Sequence, residues 1–248
     1  MPRSSVKSRR KDGFGEKGAG DAESASRERL LQAALLEFAA EGLRGARVDA
    51  IARRAKINKQ LIYYHFGDKD SLYLAVLERA YAEIRRREAA LNLADEEPEA
   101  AMVKLIGFTF DYVAKHREFV RLLINENILE ARFVRQSRLI SKTSSPILDL
   151  LDVTLRRGAA SSVFRRGIDP VQLYISMAAL CFFYIGNIHT LSALFDKDFN
   201  GSALMRQRRK HVTDLMMSHL LLNERRKPRS MGKRTAAKGR RARRVASV

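Results

Sequence analysis

The amino-acid sequence predicts an all-α protein with about nine helices, and three observations support this fold class. Apolar residues recur at helical spacing through most of residues 27–222, and no segment alternates with the period of two that a strand would show. Capping residues precede several of the periodic segments. Gly and Pro number only 14 and 5 among 248 residues, which excludes a collagen-like or low-complexity chain.

Local signals mark where the predicted helices begin and end. Ser26 is a plausible N-cap of the first helix, and Asn58 and Asp68 can cap the third and fourth. Asp169 followed by Pro170 combines an N-cap with the proline that favours a first helical position. An interruption is expected near residues 144–146. The predicted helices span residues 27–41, 48–55, 59–66, 69–91, 99–115, 117–129, 133–160, 170–195 and 203–222.

The charge is unevenly distributed along the chain. There are 47 Lys and Arg against 28 Asp and Glu, a net charge of +19, and residues 225–248 hold 11 of the basic residues and no acidic one. Both ends, 1–26 and 223–248, lack apolar periodicity and are predicted to be disordered. The excess indicates a polyanionic partner, either nucleic acid or an anionic membrane surface. A single cysteine, Cys181, excludes an internal disulfide and indicates a reducing compartment.

The first three helices have the dimensions of a helix-turn-helix, since two helices of about eight residues follow a longer one across a three-residue turn. On a helical wheel, one arc of about 140° in helix 59–66 holds Lys59, Gln60, Tyr63 and Tyr64. The opposite side, with Leu61, Ile62 and Phe66, is expected to pack on the other helices. An ordinary amphipathic surface helix would show the same spacing, so the pattern alone leaves both interpretations open.

The sequence of this region resembles the TetR-family DNA-binding domain. The resemblance rests on three runs over about 45 residues, namely FAAEG (38–42), IARRA (51–55) and LIYYHFGDKDSL (61–72). It implies that residues 27–72 bind DNA, and the side chains expected at bases or phosphates are Arg47, Lys59, Gln60, Tyr63, Tyr64, His65 and Lys69. Two positions depart from the family pattern. Ala46 replaces a threonine, for which Arg47 could substitute, and Lys56 replaces the glycine of the turn.

The same resemblance implies that residues 73–222 form a helical body that dimerises and encloses a ligand cavity. Segments 170–195 and 203–222 are the expected dimer interface, although 171–195 carries no charge and could also be long enough for a membrane span. The expected ligand-binding residues are Phe108, Tyr112, Arg132, Tyr174, Phe183 and Tyr184. These residues could instead simply fill the core.

Together these patterns predict a homodimeric transcriptional regulator, a repressor released from a palindromic operator by an unknown small molecule. It is expected to act in the cytoplasm, on the nucleoid, without a metal, a cofactor, enzymatic activity or a membrane anchor. Two alternatives remain open. One is a nucleoid-type protein that coats DNA with little regard to sequence, and the other is a peripheral membrane protein held by its basic tail.

Overall fold

The computed structural model describes residues 16–222, with side chains from residue 23 onward except those of 143–145. Within that range it is all-α, with eleven α-helices and one 3-10 turn at Leu93–Asp95. The helices are α1 (Glu16–Gly45), α2 (Val48–Ala55), α3 (Lys59–Phe66), α4 (Lys69–Ala89), α5 (Pro98–Lys115), α6 (Arg117–Ile128), α7 (Arg132–Gln136), α8 (Arg138–Ala160), α9 (Pro170–Gly186), α10 (Ile188–Phe195) and α11 (Ser202–Leu220).

The first helix is longer than predicted. It begins at Glu16, so the expectation of disorder was wrong for residues 16–26, and Ser26 lies inside the helix instead of capping it. The remaining part of the predicted arm, 1–15, and the tail 223–248 lie outside the described residues. The predicted stop at Gly42 is a kink with φ 67° and ψ 175°, after which the helix continues to Gly45. Glycine accepts this positive φ without the steric cost of a Cβ.

Two predicted helices are each divided in two, which accounts for eleven helices instead of nine. Segment 133–160 breaks at Ser137, whose hydroxyl accepts a hydrogen bond from the amide of Ile140 at 3.1 Å and so caps α8. The predicted interruption at 144–146 was wrong, because α8 continues through Pro146. Segment 170–195 breaks at Asn187, where α9 and α10 meet at 67°.

The predicted caps at Asn58, Asp68 and Asp169 are all present. The side chain of Asn58 accepts a hydrogen bond from an amide of α3, and that of Asp68 accepts one from an amide of α4. Asp169 accepts two, from the amides of Val171 and Gln172 at 2.7 and 3.0 Å. These polar side chains satisfy amides that an isolated helix leaves unpaired, so local sequence determines where three helices start.

One continuous core runs from the first three helices into the rest of the molecule. Its central feature is a chain of aromatic rings from α1 through α4 to α7, in which Tyr73 stacks edge-on against Phe38 at 5.0 Å and against Phe133 at 4.9 Å. The buried carboxylate of Glu126 accepts hydrogen bonds from two amides at the start of α7. Asn125 donates to the Phe38 carbonyl at 2.9 Å, just before the α1 kink. These contacts fix the N-terminal helices to the body.

None of the helices within residues 16–222 is by itself both long and apolar enough to cross a bilayer. The bent pair formed by α9 and α10 meets that test only when the two helices are taken together.

Candidate nucleic-acid interface

The α2–turn–α3 unit is held together by a left-handed residue and a capped helix start. Lys56 has φ 55° and ψ 47°, the conformation that glycine usually supplies, and the Ile57 amide donates to the Ala52 carbonyl at 3.1 Å. Asn58 then accepts from the Gln60 amide at 2.9 Å and starts α3. Lys56 therefore adopts the left-handed conformation itself.

Helix α3 has one buried side and one exposed side. Ile62 is only 1% exposed and packs in the same core as Ile51 of α2. On the opposite side Tyr64 is 81% exposed, and Gln60 and Tyr63 are also exposed, as the helical wheel predicts. We call the outward side of α3, comprising residues 59–61, 63 and 64, the α3 face.

Leu61 is the exception to the predicted division. It was expected in the core beside Ile62, but it is 41% exposed. The reason is rotational, because 61 and 62 lie 100° apart around the helix and only Ile62 points at the first two helices. Phe66 is half-buried, with the Arg27 guanidinium 5.4 Å from the centre of its ring.

Lys59 forms an ion pair with Asp49 of α2. The Lys59 Nζ lies 2.8 Å from Asp49 Oδ1, and the two side chains are 43% and 58% exposed. The hydrogen bond between them lowers the pKa of the Asp49 carboxyl and raises that of the Lys59 ammonium. Lys59 also lies 6.0 Å from the centre of the Tyr63 ring. Sequence reasoning missed Asp49, because the contact joins two helices whose relative rotation the spacing of residues does not give.

The remaining candidates surround α3. The Lys69 ammonium donates to the carbonyls of Ala46 at 3.2 Å and Arg44 at 3.4 Å, so it joins the start of α4 to the link between α1 and α2. Arg47 is exposed at the N-cap of α2 and makes no side-chain cap there. His65 is half-buried, edge-on to Tyr64 at 5.2 Å. All seven predicted DNA-binding residues thus lie on or beside one end of the molecule.

The six predicted ligand-binding residues, in contrast, do not meet in one cavity. Arg132 forms a surface ion pair with Asp70, and Phe183 is exposed on α9. Tyr184 is buried, and its hydroxyl donates to the Phe199 carbonyl at 2.9 Å. The other three residues serve different contacts: Tyr174 Oη accepts from Arg85, Phe108 and Tyr112 pack against each other, and Tyr112 also lines a cleft beside α1 and α4. Phe183 and Tyr184, however, line one pocket of about 450 Å³ between α9, α10 and α11.

A cavity of about 600 Å³ lies elsewhere in the body, between α4, the 3-10 turn and α8. Arg85 and Glu88 line it and form a buried ion pair, and Arg85 also donates to the Tyr174 hydroxyl at 2.9 Å. Burial raises the pKa of Glu88, and Arg85 opposes this shift. Apolar side chains, including Leu93 and Ile147, form much of the remaining wall. Sequence reasoning missed this site, because its polar residues, from α4 and the 3-10 turn region, form no recognisable motif.

The outer side of α9, α10 and α11 exposes many large apolar side chains. We call this surface the α9–α11 face, and its exposed members are Val171, Ile175, Phe183, Leu194, Phe195 and Leu215. A depression of about 760 Å³ lies between α9 and α11 and includes Leu180 and Met216. The one cysteine, Cys181, is buried beneath the same helices, and burial raises the pKa of its thiol to about 12. Within the described residues, no group of three His, Cys, Asp or Glu could hold a metal ion.

Comparisons with known proteins agree with this geometry. Residues 30–76 match the family model for bacterial regulatory proteins of the tetR family, and residues 98–216 match the tetracyclin repressor-like C-terminal domain. The HTH-type transcriptional repressor NicS of Pseudomonas putida is 37% identical over 173 residues, covering 70% of this chain and 82% of that protein. The repressor SCO4008 of Streptomyces coelicolor is 36% identical over 42% of this chain and half of its own length.

Solved structures share the fold at lower identity. The ketosteroid transcriptional regulator KstR2 of Mycobacterium tuberculosis superposes with a TM-score of 0.62 at 18% identity, over 79% of this chain and 95% of that one. The putative regulator SCO4942 of Streptomyces coelicolor gives a TM-score of 0.59 at 24% identity, over 79% and 98%. With the two matching family models and the similarity to NicS, the chain belongs to the TetR family and is a DNA-binding transcriptional regulator.

Proposed function

We propose that this regulator is a repressor that binds a palindromic operator as a homodimer and is released by a small molecule. The observation that carries the proposal is the α3 face, a set of exposed amide, hydroxyl and ammonium groups on a helix anchored by Ile62. Residues 27–72 would read DNA, and residues 73–222 would dimerise and bind the effector. The relatives are named as repressors, which favours regulation over catalysis.

Different residues of the interface would have different tasks. Lys59 and Gln60 lie in the first turn of α3, from which a recognition helix reaches base edges, and both side chains can hydrogen-bond there. Tyr63, Tyr64 and His65 supply groups that can donate to phosphate oxygens, and Arg47 adds a positive charge beside them. Lys69 has a third N–H beyond the two carbonyls it contacts, and that donor is available for a phosphate.

The α9–α11 face supports the homodimer. Exposed apolar patches of this kind mark protein interfaces, and pairing two copies of the same patch about a two-fold axis would bury it. Four helices, α9 and α11 from each protomer, would then pack together. The axis would place two α3 helices at half-sites about 34 Å apart.

Release by a ligand is supported by the position of α4, which links the N-terminal helices to a cavity in the body. This helix carries Lys69, which joins it to the α1–α2 link, at one end and the cavity-lining Arg85 and Glu88 at the other. A small molecule that shifts α4 would change the separation of the two α3 helices, so that both could no longer bind together. One protein of similar fold, FadR of Bacillus subtilis, is described in complex with stearoyl-CoA. A screen for metabolites that release the protein from its operator would identify the effector.

Selection of bound sequences from random duplexes tests the proposal, because a repressor of this kind should enrich one palindrome. Substituting Lys59 or Gln60 by alanine should then relax the preference at particular positions, whereas Lys69→Ala should weaken all duplexes similarly. Lys104→Ala is the matched control, since Lys104 is also an exposed lysine in an exposed ion pair, with Glu96, but lies on α5. It should change neither affinity nor preference.

The alternative of a DNA-coating protein is not favoured by the relatives, which are named as repressors with a helix-turn-helix. It makes the opposite prediction in the same assay. Equal affinity for random duplexes and no enriched sequence would support it. If Lys59→Ala and Lys69→Ala both lowered affinity uniformly, the assignment of Lys59 to base reading would be wrong.

A further inference from the structure

Leu61 is an apolar residue on a surface that otherwise presents hydrogen-bonding groups. It is the third residue of α3 and 41% exposed, while its neighbour Ile62 is buried. On the helix surface Tyr64 lies one turn away from both Gln60 and Leu61, so these three side chains are contiguous. The leucine thus lies among the residues that would enter the major groove.

The chemistry of leucine limits what it can do on that surface. Its side chain has no donor or acceptor, so it can bind neither a phosphate oxygen nor the polar atoms of a base edge. Isolated exposed leucines are common and need no explanation. This one, however, lies in the first turn of the recognition helix, from which side chains contact base edges. The major groove offers one apolar group to such a side chain, the C5 methyl of thymine.

We propose that Leu61 recognises the methyl group of a thymine in each half-site of the operator. The contact would exclude water from the methyl and from the leucine side chain, with the exposed Tyr64 ring beside it. A buried methyl of this kind corresponds to about a 4-fold change in affinity, and two symmetric half-sites give about 15-fold. The inference rests on the proposed function, because it requires a specific operator read by α3.

Replacing thymine by deoxyuridine tests the contact directly, since it removes the methyl and leaves every hydrogen-bonding atom in place. In the selected operator, each thymine is replaced in turn, in both half-sites together, and affinity is measured for the full-length protein. At one thymine position, the replacement should lower the operator affinity of the wild type by about 15-fold. Leu61→Ala should bind the thymine and deoxyuridine operators equally. Leu61→Val, with a shorter side chain, should retain part of the difference.

Two controls assign the effect to Leu61. The Lys59→Ala variant should keep the full difference between thymine and deoxyuridine, because it leaves the leucine in place. Thermal unfolding followed by circular dichroism should give the wild-type midpoint for Leu61→Ala within a few degrees, since the side chain is substantially exposed. If Leu61→Ala unfolds at a clearly lower temperature, the test rests on Leu61→Val. Its ratio of thymine to deoxyuridine affinity then decides whether the leucine contacts the methyl.

Several outcomes would overturn the inference. The wild-type affinity could be insensitive to deoxyuridine at every position, or the selected half-site could contain no thymine. The loss of affinity on replacing thymine could also persist undiminished in Leu61→Ala and Leu61→Val. A loss that disappears only in Tyr64→Ala would assign the methyl contact to the tyrosine instead. If selection enriches no sequence, the proposed function itself fails. If a palindrome is enriched but the effect of the thymine methyl does not depend on Leu61, only this inference fails.

Discussion

Two surfaces of this regulator expose apolar side chains, and their compositions differ. On the α3 face, Leu61 and two tyrosines lie beside Gln60 and an ion-paired lysine. On the α9–α11 face, exposed Val, Ile, Leu and Phe residues lie together over three helices. A base edge presents polar atoms and methyl groups side by side, so a mixed surface suits DNA. A surface whose exposed large side chains are apolar instead suits another protein surface.

The largest expected effect comes from placing charge on the α9–α11 face. In separate variants, Ile175→Glu and Phe195→Glu each introduce two carboxylates per dimer into the proposed interface, where an unpaired buried charge costs several kcal/mol. We expect monomers in sedimentation velocity at micromolar protein and a loss of operator affinity of more than about 100-fold, because the two half-sites are no longer bound by one linked unit.

The matched control for those variants is Val103→Glu. Val103 is a similarly exposed apolar residue, but it lies on α5, outside the α9–α11 face. It should leave both the oligomeric state and the operator affinity unchanged. Dimers that persist in Ile175→Glu and Phe195→Glu would mean that the protein pairs through another surface.

Deleting residues 225–248 should lower DNA affinity by a smaller factor, and that factor should not depend on the DNA sequence. The segment lies outside the described residues, and it holds 11 basic residues and no acidic one. If they bind phosphates, deletion should flatten the slope of log K against log salt by ~0.9 for each phosphate that the tail neutralises, equally for operator and random DNA. The measurement is fluorescence anisotropy over a salt series. An unchanged slope would show that the tail takes no part in binding.

The two faces also differ in how far the sequence could predict them. The α3 face comes from five residues within 59–64, so helical spacing and the family motif located it, and capping by Asn58 fixed its start. Leu61 was wrongly expected in the core, because helical spacing gives the angular position of each residue around α3. It does not show which part of the helix the neighbouring helices cover. Asp49 was missed for a related reason, since its contact with Lys59 depends on how α2 and α3 are rotated against each other.

The body was predicted less well because its contacts join distant segments. The helices were located within a few residues, but periodicity did not reveal the breaks at Ser137 and Asn187. The sequence likewise could not show which of the predicted ligand residues share a cavity. Aromatic residues are as useful in a core as in a cavity. Only the packing of the helices shows that Tyr184 contacts the Phe199 carbonyl and lines a pocket with Phe183.

A backbone substitution at Lys56 should have a modest effect on stability. Lys56→Gly removes the steric cost of a Cβ at φ 55°, about 1–2 kcal/mol, and adds chain entropy to the unfolded state. We expect the free energy of unfolding in urea to rise by roughly 0.5–1 kcal/mol. The comparison is Asp196→Gly, at φ 50° after α10, which should gain less because Asp tolerates this conformation better. Equal gains at both positions would contradict this explanation.

The smallest expected effect is that of Asp49→Asn on α2, beside the α3 face. The change removes a negative charge beside the proposed DNA-binding surface and frees the Lys59 ammonium from its hydrogen bond at 2.8 Å. We expect affinity for random duplexes to rise a few-fold at low salt while the ratio of operator to random affinity falls, because a mobile ammonium favours phosphates over one base edge. Glu96→Gln frees Lys104 in the same way on α5 and should change neither quantity. If Asp49→Asn raised both affinities equally, Asp49 would act only by repelling DNA and would not position Lys59.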